Sequence, residues 1–241
     1  MDHGIGFEPY DVWDQDGAGS SIGRLNELVF PAQGRGLHTA SVWQRLCKRT
    51  LDLVIASIAL TVVSPLLLIV SALVKLTSPG PVFFVQRRVG CGGRPFSMVK
   101  FRSMYHGAHE RRHEHEQLNV HEGPIFKIKD DPRVTRVGRV IRRLSIDELP
   151  QLFNVLLGDM SLVGPRPCLP EEFLIYDERE RQRVLVKPGL TCIWQVSGRS
   201  DVGFDTWVDM DLSYIASWSI LLDLKLLALT LPAVFTRRGA Y

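Results

Sequence analysis

The stretch Leu53–Val74, LVIASIALTVVSPLLLIVSALV, sets this chain apart from a soluble domain because it contains no charged residue. About 20 apolar residues are enough for a helix to cross the hydrocarbon core of a bilayer. The alternative is a core helix of a soluble protein, but such helices usually carry a polar stripe. This stretch carries none. We therefore predict a membrane helix at about 48–75.

Two features of this stretch argue against a simple crossing. Ser64-Pro65 lies at its centre, and proline kinks or breaks a helix by removing a backbone donor. Lys and Arg mark the cytoplasmic end of a span, yet cations flank both ends: Arg45, Lys48 and Arg49 before, and Lys75, Arg87 and Arg88 after. A re-entrant helix–break–helix, broken at Ser64-Pro65, that enters and leaves by the cytoplasmic face explains both features. A kinked single span explains only one.

The remaining composition narrows the class of protein. Residues 1–40 are rich in Gly and Asp and lack both a sustained period and a signal peptide, which predicts a flexible tail. Four cysteines without a Cys-x-x-Cys pair argue against a disulfide framework or a thiolate zinc site, and fit a reducing compartment. The net charge is +3, and the basic residues cluster near the apolar stretch and at Lys127–Arg143. They indicate phosphates or lipid headgroups as partners rather than nucleic acid, for which no motif is present.

Elsewhere the pattern predicts an α+β domain, mostly helical, with a small antiparallel β-hairpin. Val82–Arg88 and Phe96–Arg102 have strand character, and Gly90–Gly93 between them reads as a turn rather than a phosphate-binding loop. Residues 106–121 hold five of the seven histidines. A solvated charged segment is favoured there over a zinc site.

Two further helices are predicted from their apolar spacing. Asp131-Pro132 is expected to start a helix with a strongly cationic side. Near the C-terminus, WSILLDLKLLALTLPAVF is interrupted by Asp223 and Lys225, which predicts an interfacial or core helix rather than a span. Trp207 and Trp218 are candidate anchors at the membrane interface.

The segment RRLSIDELPQLFNVLLGDMSLVGPRP concentrates the residues that can do chemistry. Ser145 or Asp147 is the expected N-cap of a helix, and Pro150 favours Asp147 because proline is tolerated in the first turn. In either register Asp147 and Glu148 lie near the positive end of the helix dipole, which we expect to keep them ionised. Such a carboxylate can attack phosphorus, and an adjacent pair could hold a divalent ion. From the residues alone, this interpretation and a purely structural capping role both remain open.

This block resembles the signature of the bacterial sugar transferases, the monotopic phosphoglycosyl transferases that begin polysaccharide and glycoconjugate assembly. The resemblance covers about Arg45–Arg238, and the closing pattern is most similar to enzymes that prime exopolysaccharide with galactose phosphate. Its motifs are KRTLD, Ser64-Pro65, PGPVFFVQRRVG, VKFRSM, SIDELPQL, GDMSLVGPRP, VKPGLTCIWQVSGR and WSILLDLKLL.

The resemblance implies a domain at 41–241, held by a re-entrant helix in the bacterial inner membrane, with its catalytic part at about 79–241 facing the cytoplasm. It implies a ping-pong reaction in which Asp147 takes a phosphosugar from a UDP-sugar, UDP-galactose or UDP-glucose, and releases UMP. Polyprenyl (undecaprenyl) phosphate then accepts the phosphosugar. Asp147 and Glu148 match the residues associated with Mg²⁺. Candidate substrate-binding residues are Arg142, Arg166, Arg199, Lys100 and Arg102.

Two other classes of function stay open at this stage. A non-enzymatic membrane scaffold would recruit assembly partners through the basic face and would have no need of Asp147. A metal-dependent lipid phosphatase would release inorganic phosphate instead of UMP. The sequence does not fix the sugar, and it leaves open whether the chain forms a homo-oligomer.

Overall fold

The computed structural model describes residues 40–108, 117, 128, 130–197 and 203–236. The predicted tail at 1–40 and most of the His-rich segment 106–121 lie outside these residues. The described residues all belong to one unit, Gly34–Tyr241.

The described part is an α+β domain, mostly helical, as predicted. Its helices are α1 (Val42–Thr77), α2 (Arg136–Arg143), α3 (Gln151–Leu157), α4 (Pro170–Ile175), α5 (Glu178–Arg181), α6 (Ile193–Ser197), α7 (Phe204–Ser217) and α8 (Ile220–Thr236). Its strands are β1 (Phe83–Val89), β2 (Pro95–Phe101), β3 (Ser161–Val163) and β4 (Gly189–Thr191). Strands β1 and β2 form the predicted antiparallel hairpin, in the register Phe83↔Phe101 to Val89↔Pro95. Strands β3 and β4 form a short parallel pair that the sequence did not predict.

Helix α1 is long and apolar enough to cross a membrane, and among the described helices it alone passes that test. It begins with a capping box in which Ser41 Oγ accepts a hydrogen bond from the Gln44 backbone N–H. Only 17% of its most apolar stretch is buried. Most of the helix surface is therefore left for a lipid environment.

The predicted break at Ser64-Pro65 was wrong, because helix α1 continues through both residues. Proline at position 65 cannot donate to the carbonyl of Thr61, four residues earlier. The Ser64 hydroxyl donates to that carbonyl instead, at 2.8 Å. The proline defect is thus repaired by its own neighbour, and the two halves belong to one helix of 36 residues.

One face of α1 packs on the rest of the domain along its length. In the first half, Ala56 is fully buried in the main core with Leu152 and Val155 of α3. In the second half, Val74 packs in a smaller cluster that includes Phe101 and Ile141. Both halves therefore rest on the same body.

Buried polar groups fix the start of α1 on this body. Arg49 donates to the carbonyls of Val155 and Leu156 at 2.6 and 2.8 Å, where α3 ends. Asp52 accepts hydrogen bonds from Ser161 Oγ and the Leu162 backbone N–H, both at 3.0 Å. The first turns of the apolar helix are thereby held by protein rather than by lipid.

The predicted start of the cationic helix was wrong. Helix α2 begins at Arg136, and Thr135 is its N-cap, accepting a hydrogen bond from Gly138 N at 2.8 Å. Asp131 is instead taken up by an ion pair with Arg133. The Asp-Pro signal marks a turn before the helix.

The prediction for Trp207 was also wrong. Trp207 is buried and stacks on Trp194 with ring centroids 4.2 Å apart, so it is not an interface anchor. Trp218 is half-buried and donates to Asp223. Helix α8 buries Asp223 and Leu226 in the domain and exposes apolar side chains such as Leu231 on its other side.

Candidate active site

The acidic pair lies in a short turn between α2 and α3. Ser145 adopts a left-handed conformation with φ 55°, and residues Ile146–Glu148 form a single 3₁₀ turn. Helix α3 starts only at Gln151, after Pro150. Neither Ser145 nor Asp147 makes the predicted capping hydrogen bond, so the acidic pair is not the first turn of the helix. This removes the structural role that competed with chemistry.

Glu148 is clamped by two cations from different parts of the chain. Its Oε1 accepts hydrogen bonds from Lys100 Nζ on β2 and from Arg166 Nη2 in the loop after β3, both at 3.0 Å. Burial alone would raise the pKa of Glu148, but Arg166 and Lys100 hold that pKa well below its usual range. Glu148 is therefore a fixed negative charge that orders the cations around it.

Asp147 has the opposite environment. Its carboxylate is half-buried and accepts no hydrogen bond from any residue in the described part of the chain. Burial and then the neighbouring Glu148 raise the pKa of Asp147 to about 6, against the effect of Lys100, Arg142 and Arg166. Asp147 precedes the helix and lies beside a like charge, so the expected helix dipole is not among the causes that set its pKa.

Arg166 combines the two roles that an arginine in GPRP could have. It forms the ion pair with Glu148, and its guanidinium carbon lies 6.0 Å from the centre of the Trp194 ring. A planar guanidinium can stack on a ring and still present donors in its own plane. The contact with the Trp194 ring therefore orients the Arg166 guanidinium. The N–H donors of the guanidinium stay available for anions.

Arg142 and Arg88 complete the cationic surroundings. Arg142, on α2, is half-buried and close enough to Asp147 to lower its pKa. Arg88, on β1, donates to the Pro167 carbonyl at 3.1 Å and to Gln86 Oε1 at 2.8 Å. Burial, followed by the nearby Arg166, lowers the pKa of Arg88 to about 10.

The sequence patterns did not assign Arg88 to the site, although the predicted hairpin places it near Lys100. In the observed register Arg88 pairs with Phe96, and Lys100 pairs with Phe84. Side chains two or four residues apart in a strand share a face. Arg88 therefore lies on the same side of the hairpin as Lys100.

Two predicted substrate-binding residues do not join this cluster in the described structure. Arg102 is buried and donates to the backbone carbonyls of Ser78 and Pro79, at 2.8 and 2.7 Å. It caps the C-terminal end of α1. Arg199 lies outside the described residues, so its role stays a prediction.

The acidic pair fits a Mg²⁺ ion that is shared with a phosphate ligand. No cluster of three or more His, Cys, Asp or Glu side chains occurs among the residues that the structure describes. Mg²⁺ is usually held by one or two carboxylates together with substrate phosphates and water. The Asp147 carboxylate and the second oxygen of Glu148 are the groups that would hold it.

A long apolar helix docked beside an acidic pair among cations defines a membrane-associated enzyme for anionic substrates. The chain belongs to the bacterial sugar transferase family, whose model matches residues 43–237.

Its relatives include proteins named for exopolysaccharide synthesis and for lipid-linked sugars. It is 43% identical to the exopolysaccharide production protein ExoY of Rhizobium meliloti over 200 residues, which cover 81% of this chain and 88% of that protein. It is 43% identical to undecaprenyl-phosphate galactose phosphotransferase of Salmonella typhimurium, over 82% of this chain and 42% of that protein. It is 42% identical to undecaprenyl-phosphate glucose phosphotransferase of Komagataeibacter xylinus, over 83% of this chain and 38% of that protein.

Proposed function

We propose that this protein transfers a sugar 1-phosphate from a UDP-sugar to polyprenyl (undecaprenyl) phosphate. The products are UMP and a polyprenyl-diphosphate sugar, and the reaction is the first step of exopolysaccharide or glycoconjugate synthesis. Two relatives are named for galactose and glucose transfer to undecaprenyl phosphate. They support UDP-galactose or UDP-glucose as the donor.

The observation that carries the proposal is the contrast within the acidic pair. Glu148 forms ion pairs with Lys100 and Arg166. The Asp147 carboxylate, in contrast, accepts no hydrogen bond within the described part of the chain. A carboxylate without hydrogen-bond donors is a better nucleophile because its lone pairs are available. A pKa of about 6 still leaves it mostly ionised near neutral pH.

The first step forms a bond between an Asp147 oxygen and the phosphorus that carries the sugar. The bond from that phosphorus to the UMP oxygen breaks, and its electron pair leaves with UMP. In the second step an oxygen of polyprenyl phosphate attacks the same phosphorus and displaces the Asp147 carboxylate. Neither step requires an oxidant or a net change in protons.

The cationic side chains offset the negative charge that would otherwise keep the two reactants apart. Arg142 and Arg166 lie beside Asp147 and can pair with the diphosphate oxygens. Glu148 holds Lys100 and Arg166 in place. Mg²⁺ held by Asp147 and Glu148 would supply further neutralisation of the diphosphate charge.

The proposed setting is the cytoplasmic face of a bacterial inner membrane, with α1 re-entrant. Cations at both ends of α1 and the polar contacts of Arg49, Asp52 and Arg102 with one body support this topology. The polyprenyl chain would then lie in the same leaflet that α1 enters.

The test is UMP release from UDP-galactose, UDP-glucose and a UDP-N-acetylhexosamine, with and without polyprenyl phosphate. We expect at most one UMP per protein without the acceptor, and continuous turnover when the acceptor is added. Release of inorganic phosphate would indicate the phosphatase instead. No UMP release from any donor would favour the scaffold.

A further inference from the structure

A buried side chain grips the backbone of the loop that carries Arg166. Arg183, in the 3₁₀ turn Gln182–Leu185, donates from Nη2 to the carbonyl of Arg166 at 3.3 Å. The same guanidinium donates from Nε to Asp211 Oδ2 at 2.8 Å, and from Nη1 to the Tyr176 hydroxyl at 3.0 Å. All three nitrogens of the Arg183 guanidinium therefore donate a hydrogen bond.

The ion pair in this group lies deep in the protein. The side chains of Arg183 and Asp211 are 6% and 1% exposed. A buried ion pair is often no more stabilising than an apolar pair of the same size, because both charges lose their hydration. Stability alone therefore does not account for a buried arginine aimed at the active-site loop.

Helix α7 reaches Arg166 by a second route. Trp207 lies one helical turn before Asp211 and stacks on Trp194, with centroids 4.2 Å apart and planes 9° apart. Trp194 in turn lies beneath the Arg166 guanidinium. One helix thus supports Arg166 both at its backbone, through Asp211 and Arg183, and at its charged group, through the two tryptophans.

We propose that Arg183 and Asp211 are positioning residues, which set the direction of Arg166 and so the charge around Asp147. The inference rests on the proposed function, because it assigns these residues to the same reaction. Neither of them contacts the acidic pair in the described structure. They act through the loop that carries Arg166.

The principal test is Arg183→Lys in the full-length protein, assayed by UMP turnover. Lysine keeps the charge but cannot bond Asp211, Tyr176 and the Arg166 carbonyl in one plane. We expect kcat to fall roughly 10–100-fold, the scale for misplacing a catalytic group by about an ångström. KM for the UDP-sugar should change less than kcat, because the remaining cations still bind the diphosphate.

The burst of UMP released without acceptor separates positioning from a general loss of structure, because its amplitude counts the folded active sites. When Arg166 is displaced, the rate constant of the burst should fall while its amplitude stays near that of wild type. A general loss of structure would lower the amplitude and leave the rate constant unchanged.

Tyr176→Phe keeps the test valid if Arg183→Lys does not fold. It removes a single hydroxyl that bonds Arg183, so we expect a smaller loss of kcat, about 2–10-fold, with an unchanged burst amplitude.

The matched control is the double variant Arg179→Gln/Asp209→Asn. It removes an exposed ion pair between α5 and α7, next to the buried pair, and should leave both kcat and the burst rate constant unchanged.

Two outcomes overturn the inference: a folded Arg183→Lys protein with wild-type kcat, or a loss of kcat that comes only from a lower burst amplitude with an unchanged burst rate constant. If Arg183→Lys does not fold, the same two results for Tyr176→Phe overturn it. Asp147→Asn, measured alongside, tells the two proposals apart. Wild-type turnover in Asp147→Asn rejects the proposed function itself. An inactive Asp147→Asn together with an unaffected Arg183→Lys rejects only the positioning role.

Discussion

Asp147 and Glu148 are neighbours with the same functional group, and their surroundings move their pKa values in opposite directions. Two cations share one oxygen of Glu148, whereas Asp147 is left with burial and a like charge. Groups that are pushed apart in this way usually mark the division of labour in an active site. In the proposed mechanism, Glu148 organises the site and Asp147 is the group that reacts.

The residue-level test of this division is Asp147→Asn. The amide keeps the size of the side chain and removes the attacking charge, so we expect a folded protein with UMP turnover reduced by at least about three orders of magnitude. Intact-protein mass spectrometry with the UDP-sugar alone should detect a sugar-phosphate adduct on wild type and none on the variant. Near-wild-type turnover in Asp147→Asn would reject the covalent mechanism.

The raised pKa of Asp147 predicts a pH dependence. Protonation removes the nucleophile, so kcat/KM should fall as the pH drops through about 6, the pKa of Asp147 in the free protein, by about tenfold per unit well below that value. Glu148 stays ionised throughout, because its pKa is far lower. Arg142→Gln removes a cation that lowers the pKa of Asp147 and should move the acid limb to higher pH. An acid limb near pH 4 in wild type would contradict this assignment.

The third prediction concerns the metal. Asp147 and the diphosphate are both negative, so we expect EDTA to abolish UMP turnover and Mg²⁺ to restore it. Glu148→Gln should raise the Mg²⁺ concentration needed for half-maximal activity. Full activity in the presence of the chelator would mean that the arginines neutralise the charge without a metal.

The structure brings together five of the residues that the sequence singled out: Asp147, Glu148, Arg142, Arg166 and Lys100. Their functional roles stay predictions. Arg102 lies only two residues from Lys100, but it has passed the end of the strand and meets the last carbonyls of α1. Which cation faces a site and which caps a helix depends on contacts across more than 20 residues of chain, and no local pattern encodes them.

Among the elements, α1 is distinguished by the way it absorbs Pro65. The unpaired Thr61 carbonyl would cost several kcal/mol in hydrocarbon if it stayed unsatisfied, and the Ser64 hydroxyl satisfies it. Serine followed by proline is thus a self-contained unit. It allows the helix to bend without exposing a polar group to lipid.

The fourth prediction replaces this unit. Ser64→Leu together with Pro65→Ala restores the backbone hydrogen bond to the Thr61 carbonyl and removes the point at which the helix can bend. A fraction of molecules should then cross the membrane and carry residues 1–44 to the periplasm. Cysteine labelling in intact cells, at an engineered tail position in a background without the four native cysteines, measures that fraction.

The control for this topology test is Ser57→Leu. It places the same apolar side chain at an exposed position of α1 without touching the proline, and its tail should stay protected like that of wild type. A wild-type tail that labels from outside would show an ordinary kinked span and overturn the re-entrant topology.

The elements differ in how strongly the sequence specifies them. The hairpin was predicted to within one residue because its seven-residue strands are bounded by Pro and Gly. The pair β3–β4 has three residues in each strand, too few to display a period. The strands pair across a long segment of chain, so only tertiary contacts define them.

At the scale of the whole molecule, one buried network of hydrogen bonds and an ion pair connects α1 with α8. Lys48 Nζ lies 2.6 Å from Asp223 Oδ2 on α8. The Tyr214 hydroxyl donates to the other oxygen of Asp223 at 2.8 Å, and Trp218 Nε1 donates to Oδ2 at 3.1 Å. Lys48 also donates to the Val163 carbonyl at 3.2 Å. Helices α1, α7 and α8 and strand β3 thus meet at a single satisfied charge pair.

The fifth prediction tests this network. Asp223→Ala leaves Lys48 buried without its counter-ion, which should destabilise the protein by about 3–5 kcal/mol and lower Tm by roughly 6–20 °C for a chain of this size. The double variant Lys48→Met/Asp223→Leu removes both charges and should recover most of the loss. Thermal unfolding in a constant detergent measures both. An unchanged Tm in Asp223→Ala would show that the pair is not a stabilising contact.

The span of these contacts along the chain imposes an order on biosynthesis. The C-terminal end of α1 is capped by Arg102, only 24 residues beyond Ser78. Near the start of α1, Lys48 pairs with Asp223, which lies 175 residues further along the chain. At about 5–20 residues per second, the ribosome needs roughly ten to thirty seconds to synthesise that segment. The apolar helix is therefore synthesised long before Asp223, the counter-ion of Lys48 near its N-terminal end. The nascent chain must keep Lys48 in water or among lipid headgroups until α8 emerges and closes the molecule.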